Sequence, residues 1–568
     1  MTKSAKITLI KLLIVLLLSG SMLLLPFEEW GVPINTVQTR VIALFIFAAL
    51  MWILEVIPIW TTSVLVITIT LLGMSNQSLN FLQTERFDSA AVKAIVAEAY
   101  GPAANAEAVK NAQDAVIEKL KKQTALNSTG VRTIINDVIL APVLKNTVDD
   151  AAKNELKTAA GKLYDGELSA KINDLKLTSV ATQKSIFGTF ADPIIILFLG
   201  GFFLADAATK YRLDINLARV LLKPFGTDPK FVLLGLMTVT AIFSMFMSNT
   251  ATAAMMLALL TPVLALFKPE DRGRAAFALC IPIGANVGGI GTPIGTPPNA
   301  IALKYMQDLG LDITFGKWMM FGIPFVIIML LVAWVLLLKM FPISQPNLNL
   351  AKELKGKFLT TPKAIIVYIT FIVTILMWVI PKQYHGLDSN SVAIIPIVVF
   401  SVTGVITKKD LNGMAWDVLW LVAGGFALGV ALSETNLAKD MINAIPFGEW
   451  NSTALLIGAS CICLFMATFM SHTATAALLV PILGGVAGAM MTAGSMDNPG
   501  AVALLVTVAF ASSLGMALPI STPPNAMAYA TGHIEQKGMA VSGTILCLLG
   551  LIITIFMMVG LGAVGFFG

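Results

Sequence analysis

The chain has 568 residues, of which 57% are hydrophobic and only 12% are charged, and its mean hydropathy is +0.82. This composition lies outside the range of soluble domains and therefore predicts a membrane protein. The formal net charge of +5 means little by itself, and we expect no nucleic-acid partner.

Apolar runs near or above the ~20 residues that a helix needs to cross a bilayer recur along the chain. They lack the alternation of a barrel strand, so we predict an all-α polytopic membrane protein. Two of the runs are short and extend into weakly polar neighbours. In chain order, examples are Ile7–Leu25, Val41–Ile57, Ile194–Ala207, Phe231–Phe246, Trp318–Leu338, Ala364–Ile380, Leu411–Leu432 and Ile545–Gly565.

Basic residues precede the first apolar run, as they would in a signal peptide. No convincing small-residue cleavage site follows, which favours a retained first helix. Later clusters of Lys and Arg, such as those at 268–274, 339–363 and 408–409, fit cytoplasmic loops. We expect an integral protein of a bacterial inner membrane, with its N-terminus in the cytoplasm and its C-terminus outside.

The segment 75–184 differs in composition from the rest of the chain. It carries 13 acidic and 14 basic residues, with apolar residues at helical spacing. We predict amphipathic helices at Asp88–Ala99, Ala104–Lys122 and Val148–Ala160, in an insertion outside the cell. A cap or partner-contact module is favoured over a catalytic domain, because the segment contains no Cys or His.

The same polar phrase interrupts two apolar stretches. Its copies, SNTATAA at 248–254 and SHTATAA at 471–477, are 223 residues apart. About fifty residues after each comes a second repeated phrase, TPPNA, at 296–300 and 522–526, with an offset of 226. Paired polar interruptions in the two halves of a membrane protein indicate a transporter binding site.

Glycine pairs at 200–201 and 424–425 repeat with an offset of 224, which completes an internal duplication of about 225 residues. We therefore divide the chain at the duplication and at the insertion. The predicted parts are N-terminal helices at 1–74, the insertion at 75–184, the rest of the first repeat at 185–340 and a second, inverted repeat at 363–568.

Each polar phrase suits the tip of a re-entrant hairpin, and each proline-rich phrase suits a break in the following helix. Proline removes a backbone donor and leaves carbonyls free, and these can replace the water around a hard cation. Helix N-termini and neutral donors can hold a carboxylate. A single Ser-Asn-Thr phrase would more often be interhelical hydrogen-bond glue, but two copies at matched spacings favour a transport site.

Other classes of function have weaker support. A membrane enzyme would need a nucleophile with a base, or paired carboxylates, and Glu55, Asp192 and Asp206 all lie near span ends. The glycine-rich run at 288–295 lacks the lysine of a nucleotide loop. The four cysteines form no zinc or disulfide framework. A passive channel is possible, but duplicated hairpins favour alternating access. We predict no organic cofactor and no enzymatic activity.

Together these residues resemble the divalent anion/sodium symporter family, also called solute carrier family thirteen. The resemblance covers nearly the whole chain except 75–184. It implies a homodimer in the lipid bilayer, with about eleven spans per protomer, two re-entrant hairpins and two discontinuous helices. It further implies an elevator motion that carries C4 dicarboxylates such as succinate, malate or fumarate, with citrate or sulfate in some branches. Sodium ions usually drive the transport, whereas some branches exchange anions without sodium.

The resemblance also implies site residues. The first sodium site would use Asn249 with main-chain oxygens of Ser244, Ser248 and Gly295. The second would use position 472 with main-chain oxygens near Ala467, Met470 and Ser521. The residues expected to contact the substrate are Asn249, Thr250, Thr296, Pro297, His472, Thr473, Thr522 and Pro523.

One residue departs from the family pattern, because His472 stands where many members have Asn. An imidazole nitrogen suits softer metals than sodium, which puts the second sodium site in doubt. His472 could instead donate its N–H to a substrate carboxylate, gain a proton, or bind a neighbouring backbone group. We predict sodium symport first and sodium-independent exchange second.

Overall fold

The structure is a computed structural model that describes residues 3–567 apart from 28–33, 80–81, 83–86, 88, 101–105, 124–127, 141–166, 174, 176–178, 265–266, 269, 349–357, 438–439 and 441–450. Within the described residues it is helical and contains no β-strand beyond an isolated bridge between Ser75 and Ala181. The predicted all-α class is therefore confirmed.

The helices of the first half begin with three apolar helices, continue through short helices of the insertion and end with the long helix α15. Their bounds are α1 Lys3–Met22, α2 Thr36–Leu54, α3 Ile59–Met74, α4 Ser89–Tyr100, α5 Ala106–Lys122, α6 Ser128–Ile135, α7 Glu167–Asn173, α8 Gln183–Gly188, α9 Pro193–Lys210, α10 Leu213–Leu222, α11 Pro229–Ser244, α12 Asn249–Leu264, α13 Gly273–Gly288, α14 Pro297–Asp308 and α15 Phe315–Met340.

The second half repeats the same succession of long and interrupted helices. Its bounds are α16 Pro362–Val379, α17 Ser389–Val392, α18 Ile394–Val402, α19 Lys408–Asn412, α20 Trp416–Glu434, α21 Ser452–Phe469, α22 His472–Thr492, α23 Asn498–Leu514, α24 Pro523–Ala530 and α25 Gln536–Ala563.

Nine helices in the described part of the chain are long and apolar enough to cross a membrane. Shorter apolar helices occur beside them, among them α11 and the stretch Asn249–Thr261 of α12. At 16 residues each, α11 and α12 are about 24 Å long, less than the ~30 Å thickness of a hydrocarbon core. That length suits the predicted re-entrant hairpin. The helices α21 and α22 have 18 and 21 residues, so their length alone does not distinguish a hairpin from two spans.

The chain divides into two compact units, the first of which comprises Met1–Leu50, Val64–Thr189 and Ala427–Ile445. Inside this unit the insertion helices bury their own apolar cluster, which includes Val92, Val116 and Ile172. Helices α4 and α5 lie where the sequence predicted the first two amphipathic helices. The third, Val148–Ala160, falls outside the described residues.

The second unit comprises Met51–Ser63, Phe190–Phe426 and Pro446–Gly568, and it holds both repeated phrases. The glycine pairs allow close packing within it. A Cβ added to Gly200 would lie 2.5 Å from the carbonyl oxygen of Ala393, and one added to Gly425 would lie 2.8 Å from the Cβ of Ala477. Both distances are shorter than ordinary contacts, so each pair marks a point where only glycine lets the helices approach.

Candidate functional site

The two polar phrases occupy equivalent helix starts. Ser248 accepts a hydrogen bond at its Oγ from the N–H of Ala251, and Ser471 Oγ accepts one from the N–H of Ala474, each at 3.2 Å. Serine is a favoured N-cap because its side chain satisfies a backbone N–H that the first turn leaves free. The residues that follow, Asn249 and His472, are therefore the first residues of α12 and α22.

The proline-rich phrases also start helices. Thr296 and Thr522 precede α14 and α24, with prolines at the first two helical positions, where the missing N–H costs little. Thr522 Oγ1 accepts a hydrogen bond from the N–H of Asn525 at 3.2 Å. The sequence therefore breaks two long helices and restarts them within the protein.

An asparagine in each phrase holds the broken backbone together. Asn299 Nδ2 donates to the carbonyl oxygens of Gly289, Ile290 and Thr292 at 3.0, 3.3 and 2.8 Å. Asn525 Nδ2 donates to the corresponding carbonyl oxygens of Met516 and Leu518 at 2.8 and 3.0 Å. Both asparagines are buried. These bonds satisfy carbonyls that the break would otherwise leave without partners.

The four helix starts meet around one cavity of about 440 Å³, which we call the shared cavity. It brings together residues from both halves of the sequence. Its lining comprises Pro58, Ile59, Trp60, Phe198, Phe202, Ser248, Asn249, Thr250, Asn286, Ile294, Gly295, Thr296, Pro297, Asp417, Val418, Leu421, Ser471, His472, Thr473, Ser521, Thr522, Pro523 and Pro524.

The shared cavity can attract a small anion although no basic side chain among the described residues lines it. Among the described residues that line it there is no lysine or arginine, and Asp417 is the one acidic residue. The N-terminal ends of α12, α14, α22 and α24 each carry a partial positive charge, worth roughly 0.3–1 kcal/mol for an anion at an exposed end. Threonine hydroxyls and free backbone N–H groups add neutral donors.

The first half of the cavity has a cluster of oxygen atoms around the amide of Asn249. Its Oδ1 lies 2.6 Å from Ser244 Oγ and 3.2 Å from the carbonyl oxygens of both Gly295 and Ala285. Turned by 180°, the amide would instead donate from Nδ2 to the same three atoms. Without a cation the turned amide satisfies these oxygens, whereas a cation held between them would draw Oδ1 toward it, since hard cations take oxygen ligands.

Glycine is required beside this cluster. A Cβ on Gly289 would lie 2.5 Å from Asn249 Oδ1, and a Cβ on Gly295 would lie 2.4 Å from the carbonyl oxygen of Gly289. Ser244 is fully buried, and its hydroxyl also lies 2.7 Å from the carbonyl oxygen of Ala285. Three residues of the predicted first sodium site, Ser244, Asn249 and Gly295, therefore lie together, although Ser244 presents its hydroxyl and does not line the cavity. The main-chain oxygen of Ser248 accepts a hydrogen bond from the N–H of Thr252.

The second half differs at the same place. His472 Nε2 lies 2.7 Å from the carbonyl oxygen of Gly515, the counterpart of Gly289. Ala467 takes the position of Ser244 and packs against Gly515, where an added Cβ would lie 2.6 Å from the Ala467 carbonyl oxygen. Ser521 Oγ donates to the carbonyl oxygen of Thr468 at 2.7 Å. Thus the nitrogen of His472 contacts a carbonyl at the point where the first half has an amide oxygen.

All eight residues expected to contact the substrate line the shared cavity. Of the residues predicted for the sodium sites, Ser248, Asn249, Gly295, His472 and Ser521 also line it. The remaining three, Ser244, Ala467 and Met470, are buried and do not line it.

Sequence reasoning missed two polar residues of the cavity. Asn286 is fully buried in α13, and its Nδ2 donates to Thr522 Oγ1 at 3.2 Å and to Asn525 Oδ1 at 3.1 Å. This amide joins the first repeat to the proline-rich phrase of the second. Asp417, in the first turn of α20, lies at the cavity wall. A polar residue in the apolar stretch before the glycine run could have indicated Asn286, whereas nothing in the local sequence indicated Asp417.

Comparison with known proteins gives a consistent result. Residues 168–498 match the family described as CitMHS, citrate transporter. The chain is 33% identical over 393 residues to an uncharacterized transporter of Haemophilus influenzae, which covers 66% of this chain and 82% of that protein. It is 31% identical over 419 residues to the sodium-dependent dicarboxylate transporter SdcS of Staphylococcus saprophyticus, covering 67% and 79%.

A further relative is named for a different substrate. The inorganic phosphate transporter PHO87 of Saccharomyces cerevisiae is 32% identical over 365 residues, which is 63% of this chain and 38% of that protein. The chain thus spans less than half the length of this yeast relative.

Proposed function

This chain belongs to the citrate transporter family, and we propose that it is a secondary active transporter that carries small divalent anions, with C4 dicarboxylates such as succinate, malate and fumarate as first candidates, coupled to sodium. It is an integral membrane protein and a transporter, as its family and relatives are, and not an enzyme. The divalent anion/sodium symporter resemblance is confirmed by the same comparisons.

One observation carries the proposal for the substrate. Both copies of both repeated phrases line a single cavity that has helix N-termini and hydroxyl groups but no described lysine or arginine. A dianion inside a protein is stable only when donors or cations replace its lost water. Neutral donors bind it weakly, so anion affinity depends on a cation bound nearby, and that dependence couples the two.

The oxygen cluster at Asn249 supports sodium as the cation. A sodium ion would be held there by three oxygen atoms: Asn249 Oδ1, the hydroxyl of Ser244 and the carbonyl oxygen of Gly295. When bound, the cation would supply positive charge beside the first half of the cavity. The chain's own part is to hold the amide oxygen toward that place, since the N-terminus of α12 positions Asn249.

Sodium-independent exchange is the second candidate, together with citrate, sulfate or phosphate as substrate. Two observations support this second candidate function. The second repeat has His472 and Ala467 at the positions where the first has Asn249 and Ser244, and one relative is named as a phosphate transporter.

The wider mechanism follows the family pattern in this proposal. Two inverted repeats would present one hairpin, α11 and α12, from the cytoplasm and another, α21 and α22, from outside. An elevator motion would then expose the cavity to each side in turn, in a homodimer. The N-terminus would be cytoplasmic and the C-terminus outside, in a bacterial inner membrane.

The test is uptake of radiolabelled succinate into proteoliposomes, with an inward sodium gradient and with potassium in its place. We expect uptake to require sodium and preloaded unlabelled succinate to stimulate it. Asn249→Ala should reduce uptake about tenfold or more, since it removes a ligand from a charged group. Asn412→Ala, at the exposed end of α19, is the matched control. Equal uptake in sodium and potassium would leave exchange as the function.

A further inference from the structure

The side chain of His472 has a defined proton arrangement. It lies at the first position of α22 with 8% of its surface exposed, and its Nε2 is 2.7 Å from the carbonyl oxygen of Gly515. A carbonyl only accepts hydrogen bonds, so Nε2 carries the proton. The sequence alone allowed this N–H to reach a substrate carboxylate, but in the structure it is already used by the backbone.

The ring is neutral in this setting. Within the described part of the chain His472 forms no ion pair, and an unpaired charge at a site this buried is costly. In a neutral imidazole with Nε2 protonated, Nδ1 holds a lone pair and accepts hydrogen bonds. Among the described residues nothing donates to Nδ1, and His472 lines the shared cavity.

The two halves of the cavity are therefore not equivalent. In the first, the Asn249 amide lies against three oxygens, to which it can donate from Nδ2 or, with a cation between them, present Oδ1. In the second, the N–H of His472 satisfies Gly515 directly, and Ala467 supplies no hydroxyl. Among the described residues this half has no side-chain amide oxygen at the equivalent place, although Ser521 Oγ and the carbonyl oxygen of Thr468 lie 2.7 Å apart nearby. His472 and Thr473 both line the cavity in this half, and the ring nitrogen of His472 that Gly515 leaves unused, Nδ1, is an acceptor.

An acceptor in an anion cavity selects for a ligand that has a proton to donate. Carboxylate, sulfate and fully ionised groups have none, and they repel a lone pair. A hydroxyl group or the acidic proton of hydrogen phosphate would satisfy Nδ1 while helix N-termini and threonine hydroxyls hold the negative oxygens.

We propose that His472 is a specificity-determining residue that makes this transporter prefer dianions bearing an O–H donor, namely 2-hydroxy dicarboxylates or hydrogen phosphate, over analogues that lack it. The proposal rests on the proposed function, because it assigns the ligand class of the same cavity. It differs from it in predicting selectivity between anions of nearly equal size and charge.

The experiment compares two matched pairs of anions in reconstituted full-length protein. The pairs are malate with succinate and phosphate with sulfate. For each unlabelled anion we measure the inhibition of labelled-malate uptake at pH 7.5. One hydrogen bond to a neutral acceptor predicts about fivefold to tenfold stronger inhibition by the member with the O–H group. The two pairs also show whether the donor is a carbon-bound hydroxyl or an acidic proton.

Two variants assign the selectivity to His472. His472→Asn should reduce both ratios to about one or two, since an amide can turn to present either its oxygen or its nitrogen. His385→Asn is the matched control, because His385 is half-buried in the loop after α16, does not line the shared cavity and should keep the wild-type ratios.

The outcomes separate this inference from the proposed function. Uptake with ratios near one in wild-type protein, or a preference for succinate and sulfate, overturns the role of His472 and leaves transport intact. Selectivity that survives in His472→Asn also overturns it. Absence of transport for all four anions refutes the proposed function, and the selectivity proposal fails with it.

Discussion

Replacing Gly289 with alanine tests whether the oxygen cluster at Asn249 binds the coupling cation. The added Cβ would lie 2.5 Å from Asn249 Oδ1 and 3.0 Å from the carbonyl oxygen of Gly295. An ordinary contact begins near 3.4 Å, so the amide oxygen must move by roughly 0.9 Å. Metal–ligand distances tolerate shifts of about 0.2 Å. In either orientation the amide of Asn249 is displaced by more than this tolerance, so it no longer occupies a ligand position.

The expected result is a change in sodium dependence larger than the change in folding. Overpacking at such a position costs about 1–3 kcal/mol of stability, which a folded transporter can survive. Loss of one charged ligand contact is worth about 1.5–3 kcal/mol, so the sodium concentration for half-maximal uptake should rise at least tenfold. Uptake of labelled dicarboxylate as a function of sodium concentration measures this directly.

A matched glycine makes the control. Gly458 in α21 has nothing within 4 Å of an added Cβ, so Gly458→Ala should leave sodium dependence unchanged and stabilise the helix by about 0.5–1 kcal/mol. Thermal melting of both purified variants shows whether each is folded. Wild-type sodium affinity in folded Gly289→Ala would refute the assignment of the cation to Asn249.

Two further changes test the framework around the site. Asn525→Ala removes the donor to the carbonyl oxygens of Met516 and Leu518 and should destabilise the protein by about 2–4 kcal/mol, seen as a lower melting temperature; an unchanged melting temperature would show that the break does not need this amide. Partial burial opposes the ionisation of Asp410, but hydrogen bonds, including one of 2.5 Å from Lys210 Nζ, outweigh it and lower the pKa of Asp410 to about 2. The ionised Asp410 carboxylate therefore contributes its full stabilisation of the folded state above the ordinary pKa of 3.8, and this stabilisation is lost as pH falls toward 2. Asp410→Asn should lower the melting temperature at pH 7 and reduce its dependence on pH between 4 and 2; an unchanged acid profile would contradict this.

The sequence predicted the features that depend on short segments. A serine before a small-residue helix and a threonine before two prolines are local signals for a helix start, and all four starts are present. Their duplication indicated that they belong to one site, and the eight expected contact residues do line one cavity. Local chemistry was sufficient here because capping and proline geometry act within a few residues.

Features that depend on distant contacts were not predictable. Asn286 reaches Thr522 and Asn525 across more than 230 residues of sequence, and no local pattern encodes that approach. The partner of the His472 N–H was left open for the same reason, since only the folded position of Gly515 decides it. The role of the insertion helices also remains a prediction, although they bury a cluster of their own.

An experimental structure of the protein with sodium and a bound dicarboxylate would test the central claim most directly. We expect density for the anion inside the shared cavity, in contact with Thr250 and Thr473, and a cation beside Asn249 Oδ1. Density for the anion at another place, with the cavity between Asn249 and His472 filled by water alone, would contradict the account.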